Sequence, residues 1–315
     1  MRHYKKIILS LGGNAIIRRG EPGEIEEQFG NARRAVEFIA RLSLSGASVI
    51  ITHGNGPVVG NILIRNEAAR NIIPPMPLYI CGADSEGGIG FMLQQSLYNQ
   101  LKKAGIRKHV VTVVTQAVVR KDDPGFEKPA KPIGPYYTEK EAGEISARQS
   151  VHMIEDSGRG YRMVVPSPRP VSIVEAPVIK MLSDAGVIVI AAGGGGVPVV
   201  EEGDGTLRAV NAVIDKDFAT SLLGLEAGSE ALISLTQIDM AYLNFNKPGQ
   251  KGIREMDVKE AKRHLMAGEF AAGSMGPKIQ AAIEFLEGGG KEVFITTPEL
   301  LEEALRGRAG TRIFQ

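Results

Sequence analysis

The chain is poor in cysteine, in tryptophan and in net charge. Its 315 residues include one cysteine, Cys81, and no tryptophan, and the formal net charge is +1. A single cysteine excludes an internal disulfide, so a reducing cytoplasm is the expected compartment. With 37 basic and 36 acidic side chains, the sequence lacks the excess positive charge that binds nucleic acid or an anionic membrane. Neither partner is therefore expected.

Long apolar runs and several common catalytic signatures are also absent. No 18-residue apolar window occurs, and the N-terminal apolar run is too short for a signal or membrane segment. The five histidines show no H-x-x-x-H spacing, and neither G-x-S-x-G nor G-x-x-x-x-G-K-[ST] occurs. The glycines at 54–60 miss the G-x-G-x-x-G spacing by one residue. Zinc sites, serine hydrolases, P-loop enzymes and dinucleotide-binding enzymes are thus disfavoured.

The sequence does contain short apolar runs that alternate with amphipathic segments. The apolar runs predict buried strands at 5–11, 47–52, 109–115, 186–192, 231–236 and 292–297. The amphipathic segments predict helices at 24–45, 58–70, 85–104, 175–185, 215–226, 257–268, 276–288 and 298–306. Such alternation is typical of an α/β fold with a mainly parallel sheet covered by helices on both faces. The length fits one large α/β unit or two lobes.

One region, 120–170, breaks this alternation. It is rich in proline, glycine and charged residues, and only part of 138–156 has the pattern of a helix. A long insertion of this composition is either a functional lid or a flexible surface loop.

Glycine clusters follow three of the predicted strands. They are "LGGNA" (11–15), "THGNGPVVG" (52–60) and "AAGGGGVP" (191–198). Bare backbone N–H groups at such turns, with helix N-termini behind them, form a cradle for phosphate or carboxylate oxygens. The competing interpretation is that glycine only satisfies the geometry of tight strand-to-helix turns.

Three lysines stand in unusual local contexts. Lys131 lies in "KPIGP", Lys216 lies between Asp215 and Asp217 in "IDKD", and Lys278 lies in "GSMGPK". Lys216 and Lys278 fall at predicted helix starts, where the helix dipole disfavours a cation unless an anion is bound. Lysines, glycine N–H groups and Mg²⁺ are what phosphoryl transfer needs, because its transition state spreads negative charge over several oxygens. The alternative is that these are ordinary solvated lysines.

Seven motifs carry a resemblance to a known family. They are "LGGNA", "THGNGPVVG", "KPIGPYY", "VPSPRP", "AAGGGGVPV", "AVIDKDFAT" and "AAGSMGPKIQAAIEFLE", and together they resemble the carbamate kinase branch of the amino acid kinase superfamily. The resemblance implies one domain over 1–315, a three-layer αβα sandwich around an open, mainly parallel eight-stranded sheet. It also implies a small protruding subdomain at about 120–170 and a cytoplasmic homodimer. The N-terminal half would bind the phosphoryl acceptor, and about 190–315 would bind the nucleotide.

The same resemblance implies roles for individual residues. The catalytic residues would be Lys131, Lys216, Lys278 and Asp217. The substrate and its phosphate would be bound by Gly12, Gly13, Asn14, Gly54, Asn55, Gly56, Gly194 and Gly195. The nucleotide, ATP or ADP, would be bound by Asp215, Thr236, Tyr242, Pro248, Met275 and Gly276. Mg²⁺ would be held mainly by the nucleotide phosphates, without a dedicated protein metal site.

The reaction implied is reversible: carbamoyl phosphate and ADP give carbamate and ATP. Carbamate already carries an anionic oxygen, so no general base is needed. The alternatives are a kinase of another small carboxylic acid, or a non-catalytic sensor of nucleotide or carbamoyl phosphate. The chain departs from the family pattern at Val58, Gln237 and Glu269, and the Gln237 departure concerns the nucleotide side.

Overall fold

The computed structural model describes residues 3–12, 15–18, 20–149, 151–155, 160–271 and 273–315. The strands are β1 Lys6–Leu11, β2 Ser48–His53, β3 Val110–Thr112, β4 Gln116–Val119, β5 Lys131–Tyr137, β6 His152–Glu155, β7 Tyr161–Val165, β8 Pro170–Ile173, β9 Ile188–Ile190, β10 Val197–Glu201, β11 Leu207–Ala209, β12 Ala231–Leu235, β13 Ala241–Leu243, β14 Lys251–Ile253, β15 Glu255–Asp257, β16 Glu292–Thr296 and β17 Thr311–Phe314. The α-helices are α1 Ile25–Leu42, α2 Gly56–Ala69, α3 Leu78–Lys103, α4 Glu139–Gln149, α5 Ala176–Asp184, α6 Lys216–Glu226, α7 Val258–Met266, α8 Met275–Glu287 and α9 Leu301–Leu305. Short 3₁₀ turns occupy Ser43–Ser45, Gly193–Gly195 and Pro298–Leu300.

The central sheet has eight strands in the order β15-β17-β16-β12-β1-β2-β9-β3. Strand β1 lies inside it and pairs in parallel with β12 and β2, and the parallel arrangement continues to β16, β9 and β3. Strand β17 runs antiparallel to β16 and parallel to β15. The prediction of an open, mainly parallel, eight-stranded sheet is therefore confirmed.

Alternating side chains of β1 build a core on each face of this sheet. All six residues of β1 are buried, and successive side chains of a strand point to opposite faces. Ile7 and Leu9 belong to a core with residues of α1 and α3, whereas Ile8 belongs to a core with residues of α6 and α8. Helices therefore cover both faces, and the three-layer αβα arrangement is confirmed.

The region from 116 to 173 leaves the central sheet. The predicted strand at 109–115 is shorter than expected, because β4 starts at Gln116 and joins a separate sheet of order β11-β10-β4-β8. Strands β5, β7 and β6 form a three-stranded sheet, and α4 occupies much of the predicted 138–156 segment. Strand β5 packs closely on α2, since a Cβ on Gly60 would lie 2.9 Å from Gly134 Cα. The division into a protruding subdomain, an acceptor half and a nucleotide half stays a prediction.

Strands β1, β2 and β9 are parallel, so their carboxyl ends share one edge of the sheet. The three glycine-rich segments follow these ends, as the sequence predicts. None of the helices in the described ranges is long and apolar enough to span a membrane.

Candidate active site

A cavity of about 690 Å³ opens at the carboxyl ends of β1 and β12. Of the residues predicted for the site, its walls contain Gly12, Lys131, Asp215, Lys216, Asp217, Thr236 and Lys278. These come from distant parts of the chain, and the fold brings them together. Gly13 and Asn14, which the sequence also predicts here, lie outside the described residues.

Asp217 links two of the three lysines. Its Oδ1 accepts a hydrogen bond from Lys216 Nζ at 2.6 Å, and its Oδ2 accepts one from Lys278 Nζ at 2.7 Å. Lys216 Nζ also donates to Ser10 Oγ of β1 at 2.8 Å. Lys216 begins α6 and Lys278 lies in the first turn of α8, so one carboxylate positions ammonium groups from two helix N-termini.

Asp215 positions the third lysine while it caps α6. Its Oδ1 accepts the backbone N–H of Asp217 at 3.0 Å, the usual bond of an N-terminal cap. Its Oδ2 accepts a hydrogen bond from Lys131 Nζ of β5 at 2.6 Å. Asp215 therefore ties the three-stranded sheet to the start of the helix that carries Lys216.

Burial makes this cluster electrostatically unusual. Burial lowers the pKa of Lys216 to about 8, against the opposing attraction of Asp217. Burial alone would raise the pKa of Asp217, but Lys216 and Lys278 outweigh it and hold that pKa well below its usual range. Three cations facing two carboxylates leave the cluster one net positive charge, which is suited to a phosphate group.

The glycine turn after β9 packs against protein groups. Gly194 and Gly195 have φ values of 67° and 106°, which disfavour any residue with a side chain. A Cβ on Gly195 would lie 2.7 Å from Ile214 Cβ, and one on Gly194 would collide with the Asn55 side-chain amide. Gly194 and Gly195 are buried and do not line the cavity. Their phosphate-binding role stays a prediction, and the visible reason for glycine here is close packing.

Gly54, Asn55 and Gly56 lie where β2 leads into α2 and are not among the residues that line the cavity, so their substrate-binding role stays a prediction. Gly54 N donates to Leu11 O at 3.0 Å, which joins this turn to the end of β1. Asn55 Nδ2 donates to Ser85 Oγ at 2.8 Å. The second glycine turn is therefore fixed to both the central strand and α3.

Sequence reasoning missed Ser85 and Glu86, two buried residues of α3. Glu86 Oε1 accepts Gly193 N–H at 2.8 Å, and its Oε2 accepts Thr115 N–H at 3.2 Å. Burial raises the pKa of Glu86 to about 8, although the backbone donors of Thr115 and Gly193 oppose this. The available signal was "DSEGG", a polar, glycine-containing stretch inside a long helix.

His53 is the last residue of β2 and packs against Gly193 of the turn after β9. It is 1% exposed, and burial lowers its pKa to about 4, so the imidazole is neutral at pH 7. Its Nδ1 is 3.3 Å from Gly54 O, whereas its Nε2 lacks a hydrogen-bond partner among the residues that the structure describes. Gly193 stands against this ring, since an added Cβ would lie 2.5 Å from His53 Nε2.

The residues predicted for the nucleotide fall into two groups. Thr236 lines the cavity, as do Gln237 and Phe245. Tyr242 does not line it, but its ring lies 5.8 Å from the ring of Phe245 and its hydroxyl donates to Asp239 at 2.7 Å. The remaining predicted residues lie outside the lining: Pro248 is exposed between β13 and β14, and Met275 and Gly276 are buried at the start of α8, beside the lining residues Ser274 and Pro277.

Carboxylates and imidazoles do not gather into a metal site in the described ranges. No group of three or more histidine, cysteine, aspartate or glutamate side chains there could hold an ion. The cavity aspartates already accept hydrogen bonds from lysines.

Comparisons with known proteins identify the family of the chain. The model of the amino acid kinase family matches residues 5–297. A carbamate kinase of Thermococcus kodakarensis is 46% identical over 312 residues, covering 98% of this chain and 99% of that protein. A carbamate kinase of Clostridium perfringens is 46% identical with the same coverage. The structure of a carbamate kinase from Giardia lamblia bound to AMP-PNP is 43% identical, covers 98% of each chain and has a TM-score of 0.91. The chain therefore belongs to the amino acid kinase family and, within it, to the carbamate kinases.

Proposed function

We propose that the chain is a carbamate kinase that transfers a phosphoryl group reversibly between carbamoyl phosphate and ADP. In the direction of ATP formation, the bond between phosphorus and the carbamate oxygen breaks, and its electron pair stays on that oxygen. The bond from phosphorus to the ADP β-phosphate oxygen forms at the same time. No proton changes place, which fits a site whose charged side chains are lysines and their aspartate partners.

The observation that carries this proposal is the bridge from Lys216 through Asp217 to Lys278. A transferring phosphoryl group spreads negative charge over its equatorial, attacking and leaving oxygens. Two ammonium groups held by opposite oxygens of one carboxylate are preorganised beside that charge, so they need not reorient during the reaction. Lys131, held by Asp215 from the other side, would bind the carbamate end.

Mg²⁺ fits this site as a partner of the nucleotide. Asp215 and Asp217 already form ion pairs with lysines. Phosphate oxygens and water would therefore supply most of the Mg²⁺ ligands, as they commonly do in proteins. When bound, the ion would neutralise charge on the ADP or ATP phosphates. The adenine side would lie near Thr236 and Phe245, the cavity residues beyond β12.

The test is ATP formation from ADP, carbamoyl phosphate and Mg²⁺ by purified protein. We expect rapid ATP production that Lys216→Ala abolishes, because the variant loses a buried phosphate-neutralising cation. Lys180→Ala is the matched control, since Lys180 also pairs with an aspartate at 2.6 Å but lies on the exposed side of α5. A folded wild-type protein that makes no ATP would contradict the proposal. The chain would then be a kinase of another small carboxylic acid or a sensor. Assays of other carboxylic acids with ATP would test the first alternative, and calorimetry with ADP would test the second.

The titration of Lys216 predicts how activity depends on pH. The ammonium form binds phosphate, and its pKa in the free protein is lowered to about 8. Therefore kcat/KM for carbamoyl phosphate should fall as pH rises through about 8, because this ratio reports groups of the free enzyme. Lys216→Arg should remove that alkaline decline, since guanidinium stays charged, even if its activity is lower. An unchanged decline in the arginine variant would show that another group causes it.

We further propose a cytoplasmic homodimer. Large apolar side chains stand exposed on and before α3, among them Ile72, Ile73, Phe91 and Tyr98, and such surfaces mark contacts between proteins. Light scattering coupled to gel filtration should give twice the chain mass of 33.8 kDa. Phe91→Asp together with Tyr98→Asp should shift that mass toward the monomer. A monomeric wild-type protein at micromolar concentration would contradict this assembly.

A further inference from the structure

The segment "VPSPRP" at 165–170 connects β7 to β8 and does not line the cavity. Its Arg169 side chain makes two contacts with the helices of the cavity. The guanidinium Cζ lies 3.3 Å from the centre of the Phe218 ring, and a guanidinium nitrogen pairs with Glu284. Gln280 Nε2 donates to the same Glu284 carboxylate at 2.8 Å and so fixes it in place.

The two partners of Arg169 belong to the helices that carry the lysines. Phe218 directly follows Asp217 in α6, and Glu284 lies six residues after Lys278 in α8. The Asp217 bridge requires the start of α6 and the first turn of α8 to keep one relative placement. Arg169 contacts both helices at once, through the residue that follows Asp217 and through Glu284.

The backbone around Arg169 is anchored as well. Arg169 N donates to Asp123 Oδ2 at 3.0 Å. Val213, which lies two residues before Asp215, donates its N–H to Pro166 O at 3.0 Å. Val165, at the end of β7, pairs in register with Lys131 of β5. The segment thus connects the strand pair that carries Lys131 with the chain that leads into α6.

We propose that Arg169 is a positioning residue that keeps all three lysines in register. Its guanidinium holds α6 and α8 at the spacing where Asp217 bridges Lys216 and Lys278. The backbone of residues 165–170, bonded to Asp123 and Val213, places the end of β7, and hence Lys131, beside them. Arginine is required because a planar guanidinium stacks on a ring and pairs with a carboxylate simultaneously, whereas an ammonium group is a point charge. The inference rests on the proposed phosphoryl transfer at this site.

The test compares Arg169→Met and Arg169→Lys with the wild-type protein in the ATP-forming assay. We expect Arg169→Met to lower kcat at least tenfold with a smaller change in KM for ADP, because the lysines lose register for the transition state. Arg169→Lys should recover part of kcat. Glu284→Gln should also lower kcat, because it weakens the ion pair between Arg169 and Glu284. Combining it with Arg169→Met should add little to the effect of Arg169→Met alone, since that variant already lacks this pair.

Arg41→Met is the matched control. Arg41 also stacks on a ring, that of Phe38 at 4.8 Å, and pairs with Glu37. Its side chain is 50% exposed, close to the 43% of Arg169, but its partners Phe38, Glu37 and Glu302 belong to α1 and α9 and not to the helices that carry the lysines. Arg41→Met should therefore keep kcat within twofold of wild type. A loss of kcat below tenfold in Arg169→Met, or an equal loss in Arg41→Met, would overturn the proposal.

Hydrogen exchange separates this proposal from the proposed function. Peptides covering the starts of α6 and α8 should exchange faster in Arg169→Met than in wild type or Arg41→Met, whether or not the protein forms ATP. Wild-type protein without ATP formation but with this exchange pattern would reject the kinase proposal alone. Equal exchange in all three proteins would reject the positioning role of Arg169.

Discussion

Asp217→Asn should lower kcat for ATP formation by on the order of 10²–10³-fold, the usual loss when a preorganised electrostatic group of a transition state is disrupted. The carboxylate of Asp217 accepts from Lys216 with one oxygen and from Lys278 with the other. An asparagine amide has one acceptor oxygen, so its NH₂ group would face one of the two ammonium groups. That lysine would lose its carboxylate partner and the position that this partner gives it.

The same substitution should shift the pH dependence. Asp217 is the main group that opposes the effect of burial on Lys216. Without this negative charge the pKa of Lys216 should fall further, so the alkaline decline in kcat/KM should move below about pH 8. Breaking a buried ion pair on one side typically costs about 3–5 kcal/mol, so thermal unfolding should also occur at a lower temperature.

Asp184→Asn is the control for this experiment. Asp184 also accepts hydrogen bonds from two lysines, Lys6 and Lys180, each at 2.6 Å. It lies at the end of α5 with a 49% exposed side chain, where solvent screens such pairs and their net value is small. Retention of wild-type kcat by Asp217→Asn, or an equal loss in Asp184→Asn, would contradict the role assigned to the bridge.

Much of the fold followed from local patterns. Apolar runs such as 5–11 and 231–236 became β1 and β12 nearly unchanged, because fully buried parallel strands leave a strong signal in the sequence. The lysines were recognisable for a similar reason. The residues of "IDKD" lie together in the chain, so the Asp215 cap and the pair between Lys216 and Asp217 are local interactions.

Other features depend on contacts between distant residues. The predicted strand at 109–115 ends early because β4 pairs with β8 and β10, and no local pattern shows which strands will be neighbours. Glu86 is 107 residues from Gly193, and its hydrogen bond exists only because the fold packs α3 against the glycine turn. The sequence showed that the four glycines needed explanation, but not that Asn55 and Ile214 would occupy the space beside them.

Glu86→Gln should lower kcat at least tenfold by displacing the glycine turn after β9. Each carboxyl oxygen of Glu86 accepts one backbone N–H, from Gly193 at 2.8 Å and from Thr115 at 3.2 Å. Both oxygens can accept whether or not the carboxyl is protonated, because a hydroxyl oxygen keeps a lone pair, whereas the amide NH₂ of glutamine only donates. One backbone donor would then face another donor in a buried site, and such an unsatisfied group costs about 1–3 kcal/mol. The turn would shift against Asn55, whose amide touches Gly194, and the disturbance would reach the turn after β2.

Unfolding experiments at two pH values distinguish this effect from a general loss of stability. Burial raises the pKa of Glu86 from 4.5 to about 8 in the folded protein, so the folded state holds this proton more tightly than the unfolded state. The stabilisation of the wild-type protein by protonated Glu86 is therefore lost as pH rises from 4.5 to 8. Glutamine does not titrate, so the stability of Glu86→Gln has no such dependence on pH. The difference in unfolding temperature between the two proteins should then be larger at pH 5 than at pH 8. Glu226→Gln is the matched control, because Glu226 accepts Ile173 N–H at 3.1 Å and its pKa is also raised by burial, but it holds strand β8 and not a glycine turn. Wild-type kcat in Glu86→Gln, or a difference that grows toward pH 8, would contradict the anchoring role of Glu86.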